Sequence, residues 1–167
     1  MDAHSGEVLP WAPAANGIVR AVAVTERGVY VGGDFVRIGN VNRNHLALLD
    51  TVTGALLPWD PNVTGSRPNS GATGDVYYVA PSLEVVYVGG RYDGIGGEFF
   101  YDGPAAIDAV TAELTAWNPD FPFYGGIGAL TIDALVLANR RVWTAGTRNP
   151  SDRNHFFMAC TDVPCAP

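Results

Sequence analysis

The chain has 167 residues, of which 47% are hydrophobic and 16% are charged, so it contains enough apolar material for a folded core. Its 20 glycines and 12 prolines favour many tight turns over long helices. The net charge of −7 makes nucleic acids and anionic membranes poor partners, and no apolar run reaches the roughly 18 residues that insertion into a membrane requires.

The first part of the chain predicts four short strands. Each is a run rich in valine, leucine and aromatic residues between glycine, asparagine, aspartate or proline, and none shows the 3.6-residue period of a helix over helical length. The four predicted strands are 17–24, 28–33, 45–50 and 55–59.

The same pattern then returns twice, so the chain is predicted to be a repeat protein. The phrase "VYVGGDFVRIG" at 29–39 recurs as "VYVGGRYDGIG" at 86–96 and, more weakly, as "VWTAG" at 142–146. A second phrase has its tryptophan at three places, Trp11, Trp59 and Trp117. We therefore expect one repeat domain over 1–167. Its predicted units are 2–50, 51–108 and 109–161.

The turns between strands also repeat. "DAHSG" at 2–6 and "DTVTG" at 50–54 end in a glycine, which suits the left-handed position of a hairpin loop, and Ala112 takes that place in the third copy with modest strain. The stretch 131–143 is the one place where a helix could be argued. Its alignment with 18–30 favours two strands joined by a turn at Asn139 and Arg140.

The predicted strands are apolar on both faces, as "IVRAVAV" at 18–24 shows. A sheet with one face in water should alternate apolar and polar residues, so these sheets are expected to be covered on both sides. Four-stranded blades stacked around an axis meet that demand better than a two-sheet sandwich. We predict an all-β fold, a partial β-propeller of about three four-stranded antiparallel blades.

These phrases resemble the delta-60 repeat, a β-propeller repeat of large secreted bacterial proteins. The likeness covers nearly the whole chain, is most specific in the first unit and thins in the third. In the first unit the matching residues are Val29 to Phe35, Ile38, Gly39, Arg43, Asn44, Leu46, Ala47, Leu49, Asp50, Thr53, Gly54, Trp59 and Pro61. In the second they are Val86 to Gly90, Tyr92, Ile95, Gly96, Gly97, Ile107, Asp108, Trp117, Asn118 and Pro119. The resemblance implies a secreted or cell-surface setting and a scaffold or binding role, with no catalytic residues and no cofactor.

Candidate binding residues follow the glycine pairs Gly32–Gly33 and Gly89–Gly90, where a backbone without side chains can bend or approach a neighbour. If the loops after these pairs line one rim of a propeller, they offer polar groups for a glycan, a protein or an oxygen-liganded cation. The alternative is that they are turn residues bonded to local backbone. The candidates are Asp34, Arg91, Asp93 and Arg148. Inserted loops at 64–74 and 120–128 are either binding loops or tolerated surface loops.

A second hypothesis is a carbohydrate-active propeller enzyme, a hydrolase or lyase with its site on rim loops. The carboxylates Glu98 and Asp102 flank the aromatic residues 99–101 and could act as a pair on a sugar, although packing between blades is the simpler account. His45 and His155 recur at matching places, which favours a structural role at a strand start. The sequence predicts no metal site, and a non-enzymatic module is preferred.

Cys160 and Cys165 can close a small disulfide loop or remain free thiols. The residues after Met1 show no signal-peptide pattern. Three blades are too few for a ring, since propellers have 4–8. We therefore expect a fragment completed by the remaining blades of the same protein, the alternative being self-association of copies.

Overall fold

The computed structural model describes residues 4–7, 11–65, 73–99, 104–117, 130–148 and 156–162. Every regular element in these ranges is a β-strand, and all paired strands run antiparallel, so the predicted all-β class is confirmed. The same ranges contain no helix long and apolar enough to cross a membrane.

The described residues form fourteen strands, several of them only two residues long. They are β1 (Val19–Thr25), β2 (Gly28–Gly33), β3 (Arg37–Ile38), β4 (Val41–Asn42), β5 (Leu46–Leu49), β6 (Val63–Thr64), β7 (Asp75–Pro81), β8 (Val85–Arg91), β9 (Gly94–Ile95), β10 (Glu98–Phe99), β11 (Ala105–Asp108), β12 (Leu130–Ala138), β13 (Arg141–Arg148) and β14 (Phe156–Asp162).

Three larger sheets are built in the same way. Sheet one has the order β1-β2-β5, sheet two β7-β8-β11 and sheet three β12-β13-β14. Each has a register shift at the same place in its first strand, after Val19, Val76 and Ile132. These three residues pair with Gly33, Gly90 and Gly146, so the sequence repeat is also a repeat of strand register.

In the first two sheets the predicted fourth strand is shorter than expected. At 55–59 it is reduced to one bridge, Leu49 with Leu56, and the second unit has the matching bridge Ile107 with Leu114. After Leu57 the ladder stops, because Pro58 has no N–H to donate and Trp59 turns to pack on Tyr30. Within the described residues the larger sheets are therefore three-stranded, with the fourth strand of the first two reduced to a single bridge.

The stretch 131–143 is not helical. It forms the hairpin of β12 and β13, in which Ala138 pairs with Arg141 across Asn139 and Arg140. Both turn residues have positive φ, 51° and 60°, as the type I′ turn requires. The prediction of two strands joined at these residues is confirmed.

Two aspartates organise the repeated turns. Asp50 Oδ1 accepts N–H bonds from Val52 (3.0 Å) and Thr53 (2.7 Å), and Asp108 Oδ1 does the same with the two matching residues of its own turn. The fifth position has φ of 70° at Gly54 and 64° at Ala112. Ala112 therefore adopts the predicted left-handed conformation that glycine adopts without strain.

These bonds predict how stability depends on pH. N–H donors, first of all those of Thr53 and Thr111, lower the pKa of the Asp50 and Asp108 carboxyl groups below the ordinary 3.8. Because the folded pKa is depressed, the stabilisation is complete above pH 3.8 and is lost as pH falls through the folded value. An NMR titration should place both carboxyl midpoints below 3.8.

The variant Asp50→Asn keeps an acceptor oxygen for Val52 and Thr53 but cannot titrate. Its stability should therefore fall less steeply with acidification than that of the parent. A carboxyl group that titrates at or above the ordinary value would contradict the role given to these turns.

The core lies between successive sheets. We call the face of a sheet that packs on the preceding sheet its front face, and the opposite face its rear face. The rear face of sheet one contributes Tyr30, Leu46 and Leu48 to a buried cluster with Val76, Val86 and Val88 of the front face of sheet two. A second cluster joins Tyr87 and Ala106 of sheet two to Ile132, Leu135 and Val142 of sheet three.

The second and third strands of sheet one are buried on both faces, as predicted. Every residue of β2 and of β5 is buried, with valines on one face of β2 and Tyr30 on the other. The first strand departs from the prediction, since Val22 and Val24 on the front face of β1 are exposed. In sheets two and three the matching face is covered by the preceding sheet, and no sheet of the described chain covers it in sheet one.

Candidate functional site

The repeated tryptophans tie each unit to its neighbours. The indole N–H of Trp11 donates to the Asp50 carbonyl (2.9 Å), and that of Trp59 donates to the Asp108 carbonyl (3.0 Å). Trp59 also meets Tyr30 edge-on at 5.1 Å between ring centroids, and Trp117 meets Tyr87 in the same way at 5.1 Å. The rings of Trp59 and Trp117 therefore lie in the contacts between units, whereas Trp11 packs on its own sheet.

The two glycines of each pair have different neighbours. A Cβ at Gly32 would lie 2.7 Å from Val76 Cγ1, and one at Gly89 would lie 2.7 Å from Ile132 Cγ2. A side chain of the next sheet therefore packs directly against the first glycine of each pair. A Cβ at Gly33 would lie 2.0 Å from the carbonyl oxygen of Ile18, the residue directly before β1 of the same sheet. Gly90 stands in the same relation to Asp75.

Asp34 is bonded to its own sheet. Its Oδ1 accepts the Ile18 N–H at 2.5 Å, and its Oδ2 pairs with Arg20 Nη2 at 3.1 Å. The backbone N–H of Asp34 donates to the Ile18 carbonyl (3.0 Å). The carboxylate thus fastens the chain after β2 to the start of β1, which is the local backbone role that the sequence offered as the alternative to ligand binding.

Arg20 continues this contact into sheet two. Its guanidinium carbon lies 5.2 Å from the centroid of the Tyr77 ring, a cation–π geometry. The Tyr77 hydroxyl lies 3.4 Å from Asp75 Oδ2, which also accepts from Thr73 Oγ1 (2.6 Å). Burial, with the nearby Asp75 charge, raises the pKa of Tyr77, so this phenol stays protonated at neutral pH.

His45 lies beside the same residues, directly before β5. Its Nδ1 is 3.3 Å from the Gly33 carbonyl oxygen, and its ring packs so closely on Gly74 that a Cβ there would lie 2.4 Å from Nε2. Burial lowers the pKa of His45, against the opposing effects of the Gly33 bond and of Asp75 and Asp34. The imidazole is therefore neutral at physiological pH.

The backbone of Arg91 lies beside Asp75, next to the residues just described. It pairs with Asp75 across β7 and β8, and its carbonyl accepts the N–H groups of Thr73 (3.1 Å) and Gly74 (2.9 Å). Its buried Nε has no hydrogen-bond partner. We call the set Arg20, Asp34, His45, Asp75, Tyr77 and Arg91 the junction cluster, because it lies where sheets one and two meet.

The other two predicted binding residues lie elsewhere or are not described at the side chain. Asp93 is buried next to β9, and its N–H donates to the Thr64 carbonyl (2.9 Å). Arg148 pairs with Leu130 at the end of β13, and its side chain lies outside the described atoms. The structure thus brings Asp34 and Arg91 into one cluster and leaves Asp93 outside it.

The remaining sequence predictions fall partly outside the described residues. Glu98 is exposed at β10, whereas Asp102, its predicted partner, and His155 lie outside the described residues. Cys160 lies in β14 opposite Trp143, and Cys165 is outside the described ranges, as is most of both inserted loops.

The junction cluster carries positive, negative and neutral polar groups that largely engage one another. Such a set can hold two sheets together and can offer hydrogen bonds to a polar ligand at its exposed edge. In the part of the chain that the structure describes, no group of three or more His, Cys, Asp or Glu side chains could hold a metal ion.

Arg20, Asp75 and Tyr77 were not predicted as members of a cluster with Asp34. Asp75 and Tyr77 occupy the places of Ile18 and Arg20 in the register of the second unit, but they share no residue type with them. The one available signal was the arginine within the otherwise apolar run 18–24, whose charge requires a partner when the strand lies at a sheet junction.

No family model matches the chain, and no solved structure matches it. A stretch of 73 residues is 36% identical to a phosphatidylglycerol–prolipoprotein diacylglyceryl transferase of Rhizobium leguminosarum bv. trifolii (strain WSM2304). That stretch is 42% of this chain and 24% of the transferase. The chain therefore spans about a quarter of the length of this curated relative, and the similarity assigns it no family.

Proposed function

We propose that the chain is a non-enzymatic β-propeller scaffold and binding module of a secreted or cell-surface bacterial protein. The observation that carries the proposal is the repetition of one contact between sheets. Tyr30 packs on Trp59 just as Tyr87 packs on Trp117, and Gly32 meets Val76 just as Gly89 meets Ile132. A contact that repeats along the chain builds an extended array.

Two further features support the propeller form. The first strands β1, β7 and β12 contact one another in succession, as expected if they line a common axis. The delta-60 resemblance rests on residues that make the repeated contacts, among them Gly32, Trp59 and Gly89. The secreted or cell-surface setting depends on that resemblance.

A binding role is supported by the junction cluster, whose polar groups lie at the edge between two sheets. A glycan is a suitable ligand class, because it is bound by neutral and charged hydrogen-bonding groups beside aromatic rings. The alternative is a carbohydrate-active hydrolase or lyase, which would need a pair of carboxylates acting on one glycosidic bond.

Native gels cast with neutral or acidic polysaccharides, combined with a reducing-end assay on the same polymers, distinguish these functions. We expect slower migration of the chain in at least one polymer, with no new reducing ends and no unsaturated sugar products. Product release would contradict the proposal and favour the enzyme. Unchanged migration without product release would contradict the proposed glycan binding.

Two variants test whether the junction cluster binds the polymer. Arg91→Ala should reduce the retardation several-fold, because it removes one of the two cations of the junction cluster. The control Glu113→Ala removes an exposed charge from a turn outside the cluster and should leave the retardation unchanged.

A further inference from the structure

The stack of three sheets exposes a front face at one end and a rear face at the other. Inside the stack, faces of these two kinds pack on each other. On the front face of sheet one, Val19, Val22 and Val24 are 41%, 62% and 71% exposed. On the rear face of sheet three, Val136 and Trp143 are 55% and 42% exposed. Apolar surfaces of this kind mark sites of association.

The two contacts inside the stack show how a front face packs on the preceding sheet. The strand registers align Val19 with Val76 and Ile132, both fully buried against the preceding sheet. They align Val22 with Val79 and Leu135, which approach Gly32 and Gly89 of that preceding sheet. The exposed valines of β1 therefore have the chemistry and the spacing of a front face that packs on a rear face.

The same two contacts show how a rear face packs on the following sheet. Trp143 aligns with Tyr30 and Tyr87, each buried edge-on against a tryptophan of the following unit. Trp11 is the matching tryptophan of the first unit, with the same indole bond to an aspartate carbonyl. A rear face placed on the front face of another copy would bring Trp143 to Trp11.

We propose that a second copy of this chain docks head to tail, its front face of β1 on the rear face of sheet three of the first copy. The contact continues an interface that the chain already forms twice. Because front and rear differ, the association is heterologous, and it produces either a closed ring or an open chain of copies. This inference depends on the sheet contacts and not on the proposed glycan binding.

One residue weakens the contact relative to the internal ones. Ala145 takes the place of Gly32 and Gly89, where a Cβ would lie 2.7 Å from the facing side chain. The two copies must therefore sit slightly further apart. The net charge of −7 on each copy adds repulsion, so association should strengthen with added salt.

Sedimentation velocity of the full chain over a wide concentration range tests the proposal. We expect concentration-dependent assembly that Val22→Asp and Trp143→Asp each reduce by at least about tenfold, because each buries an unpaired charge. Ala145→Gly should tighten assembly several-fold. The control Val110→Asp changes an exposed turn valine away from both end faces and should have no effect.

The decisive experiment mixes the variants Val22→Asp and Trp143→Asp. Val22→Asp keeps an intact rear face and Trp143→Asp an intact front face, so together they should form one-to-one pairs and stop there. A parent chain that stays monomeric would overturn the proposal, as would a single variant that still assembles or a mixture that does not pair. The three charged variants change exposed side chains. An unaltered near-ultraviolet circular dichroism spectrum should verify that all variants fold.

Discussion

Replacing Gly33 or Gly90 with alanine is expected to lower the free energy of unfolding by about 3 kcal/mol, the upper part of the range for overpacked sites. A Cβ at Gly33 would lie 2.0 Å from the Ile18 carbonyl oxygen, and one at Gly90 would lie 2.1 Å from that of Asp75. In each case the obstacle is the backbone carbonyl directly before the bulge of the first strand, so no flexible side chain can move aside. Chemical denaturation of each variant measures the effect.

The control for these substitutions is Gly39→Ala. Gly39 has a φ of 57°, and no heavy atom lies within 4 Å of a Cβ built there, so only the left-handed backbone penalty of roughly 1 kcal/mol applies. Equal losses for Gly33→Ala and Gly39→Ala would show that the close approach at the bulge contributes nothing.

The glycine pairs illustrate how far the sequence could be interpreted. It predicted that a backbone without side chains bends or approaches a neighbour at both positions of each pair. It could not separate the two, because Gly32 faces the next sheet and Gly33 faces its own sheet. That distinction depends on strand parity and on the bulge after Val19, neither of which has a residue signature of its own.

Strand and turn positions were predictable where local chemistry determines them. The strand 28–33 was placed at its exact bounds, and Asn139 and Arg140 form the expected turn because both have positive φ. The fourth strand at 55–59 was overestimated, because its apolar composition is equally compatible with one bridge followed by a tryptophan that leaves the sheet. Apolar composition alone does not distinguish pairing from packing.

The junction cluster was the least predictable feature. Asp34 was identified as a polar residue after a glycine pair. Its partner Arg20 also contacts Tyr77, which lies 57 positions from Arg20 in the sequence. Contacts of this range follow from how two sheets stack. They could be inferred only after the inter-sheet contacts of Tyr30 and Gly32 were known.

Trp59→Ala should be the most damaging single side-chain truncation among the described aromatic residues, with a loss of about 4 kcal/mol in the free energy of unfolding. Trp59 is buried, its ring packs edge-on against Tyr30, and its indole N–H donates to the Asp108 carbonyl at 3.0 Å. Trp59→Phe keeps an aromatic ring but leaves that carbonyl without its donor, which should cost about 1–2 kcal/mol beyond the smaller buried area.

Tyr30→Phe is the matched control from the other side of the same contact. The Tyr30 hydroxyl is buried without a hydrogen-bond partner, and burial raises its pKa, so its removal should leave stability unchanged or slightly increased. The ring edge that meets Trp59 is preserved. If Tyr30→Phe were as destabilising as Trp59→Ala, a polar bond to the hydroxyl would hold sheets one and two together, and the aromatic packing assigned to each inter-sheet contact would be wrong.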